Sequence, residues 1–431
     1  MEPHQARHHR PDNPPWRTDP GPRRPGSAAR IFTSGAVLTV AALGMIACNR
    51  QVQTPPVRRE NLPPGGVRLT YETLPPVPLQ PVEVARWDIW NPDGEYVFNT
   101  VGDIVGGTDS FFLLDVGNRQ VVELSPRGEV LAVFAREGSG PGEFRHPLYL
   151  ARWEDQLWVS DVGNRRFSIF DFQGNFLDDA PWPGASRLVN DFALTPDGNI
   201  LHGGQWPLTV AELSEQDPLF YLAVFPGPGR WEEGAPVHLD TLATMAGELW
   251  SSFTIRSREG AQRWWGGAPV FSPEFLWAAG EDGIVTVAGG EYRFSVCDWQ
   301  GEVSLEVVGP HEPIPVSEEW RRYYFDVIAA RELERAEPFT LTSDSRARFR
   351  FAGNLPALTA IACDQQGGIW VEVTAADPGV RQIDLYSREG NYRGRMQGVG
   401  APVAFTADGC VLFRIETGDD LPAWWVGRLP E

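Results

Sequence analysis

The sequence predicts an all-β chain made of one four-stranded unit repeated six times. Three observations lead there. Gly (45), Pro (38) and Trp (17) are abundant, while hydrophobic (42%) and charged (22%) contents are ordinary for a folded chain. Many turns and many aromatics suit strands better than helices. The pentapeptide Asp115-Val116-Gly117-Asn118-Arg119 recurs as Asp161-Val162-Gly163-Asn164-Arg165, each copy standing between two apolar runs. Finally, a polar turn between apolar runs recurs six times, at 107–110, 153–156, 195–198, 280–283, 364–367 and 406–409. Asp-Gly and similar turns between alternating runs are hairpin signals.

A second hairpin follows in the same unit, at 125–130, 171–176, 298–303 and 387–392, each with Gly in its turn. The unit is therefore strand A, polar turn, strand B, D-x-G-N-R-type turn, strand C, x-x-G turn, strand D. Four-stranded units of about 40 residues repeated around an axis are propeller blades. The third-to-fourth and fourth-to-fifth A–B turns lie about twice as far apart as the others. In the second wide gap the sequence predicts an inserted helix rather than a blade. Ser317 is placed as N-cap with Glu318 and Glu319 in the first turn. Trp320, Tyr323, Tyr324, Val327 and Ile328 form one helical stripe, and Pro338 ends it. The insertion is expected over about 311–350. The first wide gap, 227–269, is expected to hold an outer strand near His238–Leu242 and a long excursion with Trp264-Trp265 in a Gly-flanked loop. The last unit supplies three strands before the chain ends at Glu431, so Val84–Trp90 is the expected fourth, closing the ring.

Asp115–Leu124 and Asp161–Phe170, with Gly138-Ser139-Gly140-Pro141-Gly142-Glu143-Phe144-Arg145-His146-Pro147 between them, resemble NHL repeats of six-bladed β-propellers. The resemblance is specific over residues 100–180 and implies that fold for the body, residues 81–431. In this reading Phe144 plugs the space between blades, Asp115 and Asp161 accept backbone N–H bonds in their turns, and Arg119 and Arg165 reach a neighbouring loop.

Ahead of the body lies an address label. Residues 1–30 are rich in Arg, His and Pro, Ile31–Ala47 is apolar and uncharged, and Cys48 follows. This is the layout of an export signal, residues 1–48. Met45-Ile46-Ala47-Cys48 resembles the bacterial lipobox, with Met45 where that motif usually has Leu. The resemblance implies lipidation of Cys48 and, with Asn49 next, sorting to the outer membrane or periplasmic side of the cell envelope. The alternatives are a plain secretory signal and an uncleaved anchor. Residues 49–80 are Pro-rich and are expected to be an extended tether with a short strand at 67–73.

The net charge is −20, and every basic side chain is Arg. The acidic excess lies in the body, which excludes a phosphate-backbone partner. The four Cys (48, 297, 363, 410) show no C-x-x-C spacing. Cys363 and Cys410 flank neighbouring A–B turns, so a disulfide is one reading and buried thiols the other. There is no H-E-x-x-H, G-x-S-x-G or P-loop motif. His146, His202, His238 and His311 sit on separate units, with His202 the best placed for a central channel and a turn or core histidine as its plainer reading. Asp103, Asp191 and Asp364 stand near inner strands, where turn capping competes with metal binding. No catalytic residue, metal ligand or cofactor is assigned. Trp158, Trp277 and Trp370 are expected between blades, and Trp264 and Trp265 either on a binding surface or as a folded-back loop plug. The expected function is a binding or scaffold module for a protein or small molecule. The rival is a metal-dependent lactonase- or lyase-type enzyme at the channel mouth.

Overall fold

The computed structural model describes residues 56–88, 96–182, 191–206, 219–227, 240–247, 251–258, 260–330, 339–416 and 422–429. Cys48, the apolar run before it and His238 lie outside these residues.

The chain begins with a hairpin, β1 (Val57–Asn61) and β2 (Val67–Tyr71), and then β3 (Val82–Asp88). Blade 1 follows as β4 (Val101–Gly106), β5 (Phe111–Asp115), β6 (Gln120–Leu124) and β7 (Val130–Phe134). A short pair, β8 (Arg136–Glu137) and β9 (Glu143–Phe144), lies in the link to blade 2, which is β10 (Pro147–Trp153), β11 (Gln156–Asp161), β12 (Arg166–Asp171) and β13 (Phe176–Pro181). Blade 3 is β14 (Phe192–Leu194), β15 (Ile200–Trp206), β16 (Leu219–Phe225) and β17 (Asp240–Ala246). A separate hairpin comes next, β18 (Ser251–Arg256) and β19 (Gln262–Gly267), before blade 4: β20 (Leu276–Gly280), β21 (Gly283–Val287), β22 (Arg293–Cys297) and β23 (Val303–Val308). Helix α1 (Glu318–Tyr323) widens into a π turn at Tyr324–Ile328, and α2 (Ser343–Arg346) is one more short turn. Blade 5 is β24 (Leu358–Cys363), β25 (Ile369–Thr374), β26 (Arg381–Tyr386) and β27 (Tyr392–Gln397). Blade 6 is β28 (Pro402–Phe405), β29 (Cys410–Glu416) and β30 (Pro422–Arg428), completed by β3 from the chain's other end.

The fold is thus a six-bladed β-propeller. All six expected A–B turns and the closing strand are where the sequence places them. Apolar residues on both faces of each blade force it to be sandwiched between neighbours, and a buried cluster fills every interface. Trp87, Phe111 and Trp424 join blades 6 and 1, and Phe112, Phe144 and Phe170 join 1 and 2. Trp158 and Phe192 join 2 and 3, and Leu201, Trp277 and Ile284 join 3 and 4. Val307 and Tyr386 join 4 and 5, and Trp370, Phe413 and Trp425 join 5 and 6. Large rings fill the wedge between twisted sheets, which is why Trp158, Trp277 and Trp370 recur there. Cys297, Cys363 and Cys410 are free thiols.

The D-x-G-N-R turns are structural. Asp115, fully buried, accepts from the N–H groups of Asn99 (3.0 Å), Thr100 (3.2 Å) and Asn118 (3.0 Å). Asp161 does the same with Arg145 (2.9 Å) and His146 (2.8 Å). Each carboxylate ties the link entering its blade to the B–C turn of that blade. Arg119 and Arg165 take left-handed φ values of 57° and 56°, so the two turns are one conformation. Arg119 also bridges to the next link, donating to the Arg145 carbonyl at 3.1 Å and pairing with Glu137. Gly is required in the x-x-G turns because Gly128, Gly174, Gly301 and Gly390 have φ of 84°, 78°, 84° and 77°.

Two expectations need correction at the N-terminal side. The short strand expected at 67–73 is β2, but residues 57–71 are not an extended tether. β2 pairs in parallel with β23, extending blade 4 to six strands, and Leu69 and Tyr71 are buried. Val77 and Leu79 then exchange backbone bonds with Arg395 on the outer strand of blade 5. The propeller body begins by Val57, not at 81. A strap runs round the outside of blades 4 and 5 into blade 6, because the alternating Val67-Arg-Leu-Thr-Tyr71 finds an open strand edge to pair with.

Candidate ligand-binding face

In a four-stranded antiparallel blade the A–B and C–D turns lie at one end, and the B–C turns and the D–A links at the other. Both departures from the repeat are D–A links: the β18–β19 hairpin leads from β17 to β20, and the helical stretch leads from β23 to β24. They therefore rise from the same face.

There they form one module. Ile255, Tyr324, Ala329, Phe339, Leu341 and Phe349 make its buried core, with Phe253, Trp265, Phe271, Phe325 and Phe351 packed around it. Backbone bonds stitch the two insertions together: Arg258 N–H to Thr340 O (2.8 Å), Thr342 N–H to Arg256 O (3.1 Å) and Val270 N–H to Arg350 O (2.8 Å). The expected helix is present, with the Ser317 hydroxyl accepting from Trp320 N–H as its cap. Its π turn rotates the stripe, so Phe325 faces the cluster beside Tyr324. The Trp320 indole donates to the Ala376 carbonyl (3.0 Å) in the B–C turn of blade 5, seating the module on the propeller.

Trp264 and Trp265 lie in strand β19, not in a loop. Strand alternation sends them to opposite sides. Trp265 packs on Phe349 with ring centroids 5.3 Å apart, while Trp264 is 57% exposed. The sequence missed the joint module because its halves are far apart in the chain and share no period; the aromatic run Phe339 to Phe351 was the available signal. A cleft of about 550 Å³ opens on the same face, lined by Glu291 and Tyr292 of the blade 4 B–C turn and by His311, Pro313 and Asn354 of the insertion. Burial pushes the His311 imidazole down.

The inner strands of blades 1 to 3 bring together Asp103, Tyr149 and Asp191, which no local spacing connects. The Asp103 carboxylate accepts from its neighbour Ile104 N–H (2.8 Å) and from Leu150 N–H (2.9 Å) of the next blade. Enclosure by protein raises both carboxyls well above the usual range. The Asp191 charge raises Asp103 further, and burial followed by the two carboxylates raises Tyr149. Asp191 is exposed and Asp103 half-buried, so solvent screens part of both shifts. His202 is a core histidine: it is 3% exposed, packs 5.9 Å from the Phe225 ring, and burial pushes it down to about 4. Asp364 is a turn cap on the opposite face, accepting from Gln366, Gly368 and the Trp370 indole. His146 uses its backbone N–H to hold Asp161. Among the described residues no group of three or more His, Cys, Asp or Glu converges as metal ligands.

Raised Asp103 and Asp191 bind protons more tightly folded than unfolded, so their contribution is full below the ordinary value of 3.8 and is lost as pH rises through about 6 and about 7. The depressed His202 works in the opposite sense, its contribution falling from pH 6.5 down to about 4. Above 6.5 only the acids act. Asp191→Asn is expected to raise the denaturation midpoint at pH 8 and change it little at pH 4.5. Equal shifts at both pH values would remove the electrostatic account.

No protein-family model and no curated protein matches the sequence. Solved structures similar to this chain include a protein of Bacteroides fragilis (11% identity, TM-score 0.43, covering 84% of this chain and 99% of that one). A DUF4221 member from Bacteroides vulgatus is 7% identical, with TM-score 0.42 and coverage of 81% and 99%. A streptogramin B lyase is 13% identical, with TM-score 0.34 and coverage of 76% and 95%. At these values they assign neither family nor activity.

Proposed function

We propose that the chain is an exported, lipid-anchored protein of the bacterial cell envelope whose propeller is a binding or scaffold module. Its protein or small-molecule ligand is taken on the face of the B–C turns and D–A links. The observation that carries this reading is that both insertions rise from that face and fuse into one module bearing an exposed tryptophan. Segments that break a repeat on a rigid scaffold are where recognition is placed. The export label and the lipobox-like end at Cys48 support the address, and no helix among the described residues is long and apolar enough to cross a membrane. The rival is a metal-dependent lactonase- or lyase-type enzyme, for which the Asp103–Asp191 pair is the specific support, since paired carboxylates raised toward neutrality suit acid–base work.

Two measurements test the reading. Metal analysis of the purified full-length protein is expected to find no stoichiometric divalent ion; one that is lost in Asp103→Ala would overturn the binding-only role. Metabolic labelling with a lipid precursor is expected to mark wild type and not Cys48→Ala; label that survives the substitution ends the anchor.

A further inference from the structure

The polar side of the β18–β19 ribbon has a composition that points to a particular ligand chemistry. Its register pairs Thr254 with Trp264, and Arg256 with Gln262. With a period of two, Thr254, Arg256, Gln262 and Trp264 share one side, and all four are exposed. The other side carries Phe253, Ile255 and Trp265, locked into the aromatic core. Trp264 does not extend freely into solvent. Its six-membered ring lies against its own strand at Gly266, where a Cβ would come within 2.5 Å of a ring carbon. Glycine there lets the indole settle on the backbone while more than half of its surface stays open. The ribbon therefore presents one fixed aromatic surface, rimmed by a hydroxyl, a primary amide and a guanidinium, on a rigid base.

The geometry points to this ribbon as a saccharide-binding platform, on which the C–H face of a pyranose stacks against Trp264 while Thr254, Arg256 and Gln262 hydrogen-bond its hydroxyls. This deepens, and rests on, the binding-module reading. Other occupants fit less well. A protein partner needs roughly 800 Å² per side with a connected apolar centre, and the ribbon offers a single ring in polar surroundings. An organic cation over the ring would face the Arg256 guanidinium, which makes no ion pair among the described residues. The acidic body opposes nucleic acid. A pyranose supplies what the platform lacks: a flat apolar face with hydroxyls around its edge, and no charge requirement.

The test is affinity electrophoresis of the full-length protein through gels holding a neutral β-glucan, a xylan, a galactomannan or polygalacturonate. Retardation by at least one is expected. Trp264→Ala should weaken it tenfold or more, and Trp264→Phe should keep it within a few-fold, both with an unchanged denaturation midpoint. No retardation by any gel, or equal retardation of Trp264→Ala, overturns the platform. Such a failure with metal-free protein leaves the binding-module reading standing, whereas a stoichiometric metal ion that is lost in Asp103→Ala sinks that reading whatever the gels give.

Discussion

Arg395→Met is expected to destabilise the protein by about 3–5 kcal/mol, the cost of stranding a buried charge. Asp384 has no exposed surface and lies at the interface of blades 4 and 5. Arg395 grips it with two parallel bonds, Nε to Oδ1 at 2.6 Å and Nη2 to Oδ2 at 2.7 Å. Tyr292 from blade 4 donates to Oδ2 at 2.6 Å, and its own hydroxyl is held protonated by burial first and then by Tyr386 and Asp384. Methionine matches the arginine stem in bulk but offers no donor, so the carboxylate keeps only tyrosine hydroxyls. The Arg395→Met, Asp384→Asn double variant removes the stranded charge and retains an acceptor for Tyr292. It should recover more than half of the loss. Urea denaturation at constant m-value measures both. A single variant as stable as wild type would mean that the charge is not desolvated as the structure places it.

Deletion of residues 56–81 is expected to cost about 4 kcal/mol and to promote self-association. Leu69 and Tyr71 bury against Leu305, Val307, Tyr386 and Tyr392, and each large side chain so buried contributes about 1.5–3 kcal/mol. The Tyr71 hydroxyl donates to the Gly390 carbonyl at 2.7 Å and accepts from Tyr392 N–H at 3.3 Å. Gly390 sits under the strap with Leu69, Leu305 and Val307 around it. Without the strap, β23 becomes an open edge, a template for pairing with another chain. The denaturation midpoint and light scattering report the two effects. An unchanged midpoint would make the strap peripheral, as the Pro-rich composition first implied.

That contrast marks what could be read from sequence. Blade number, the A–B turns, the ring-closing strand and the Ser317 cap were legible because each is local: a turn residue between alternating runs, or a cap before a stripe. The short strand at 67–73 was legible from its alternation, but its docking on the propeller was not, because its partner strand lies far along the chain. The face module escaped for a similar reason. Phe349 touches Trp265 across many residues and no period links them. Asp103 and Asp191 were each visible as inner-strand acids, but only ring closure places them in one space. Asp115 and Asp161 were legible as turn acceptors because the repeated pentapeptide marks a shared turn geometry.

If ligand is taken on the face carrying the two insertions, blocking that face alone abolishes binding. A bulky poly(ethylene glycol) maleimide can be attached to one face or the other in a Cys48→Ala background. Thr254→Cys marks the insertion face, and Gln173→Cys marks a C–D turn on the opposite face. The native thiols interfere little: Cys297 and Cys410 are buried, and burial pushes Cys363 up to about 12. The expected result is that modification at 254 abolishes retardation by the polysaccharide gels while modification at 173 leaves it intact. Loss of binding on modification at 173, with binding preserved at 254, would place the ligand on the opposite face.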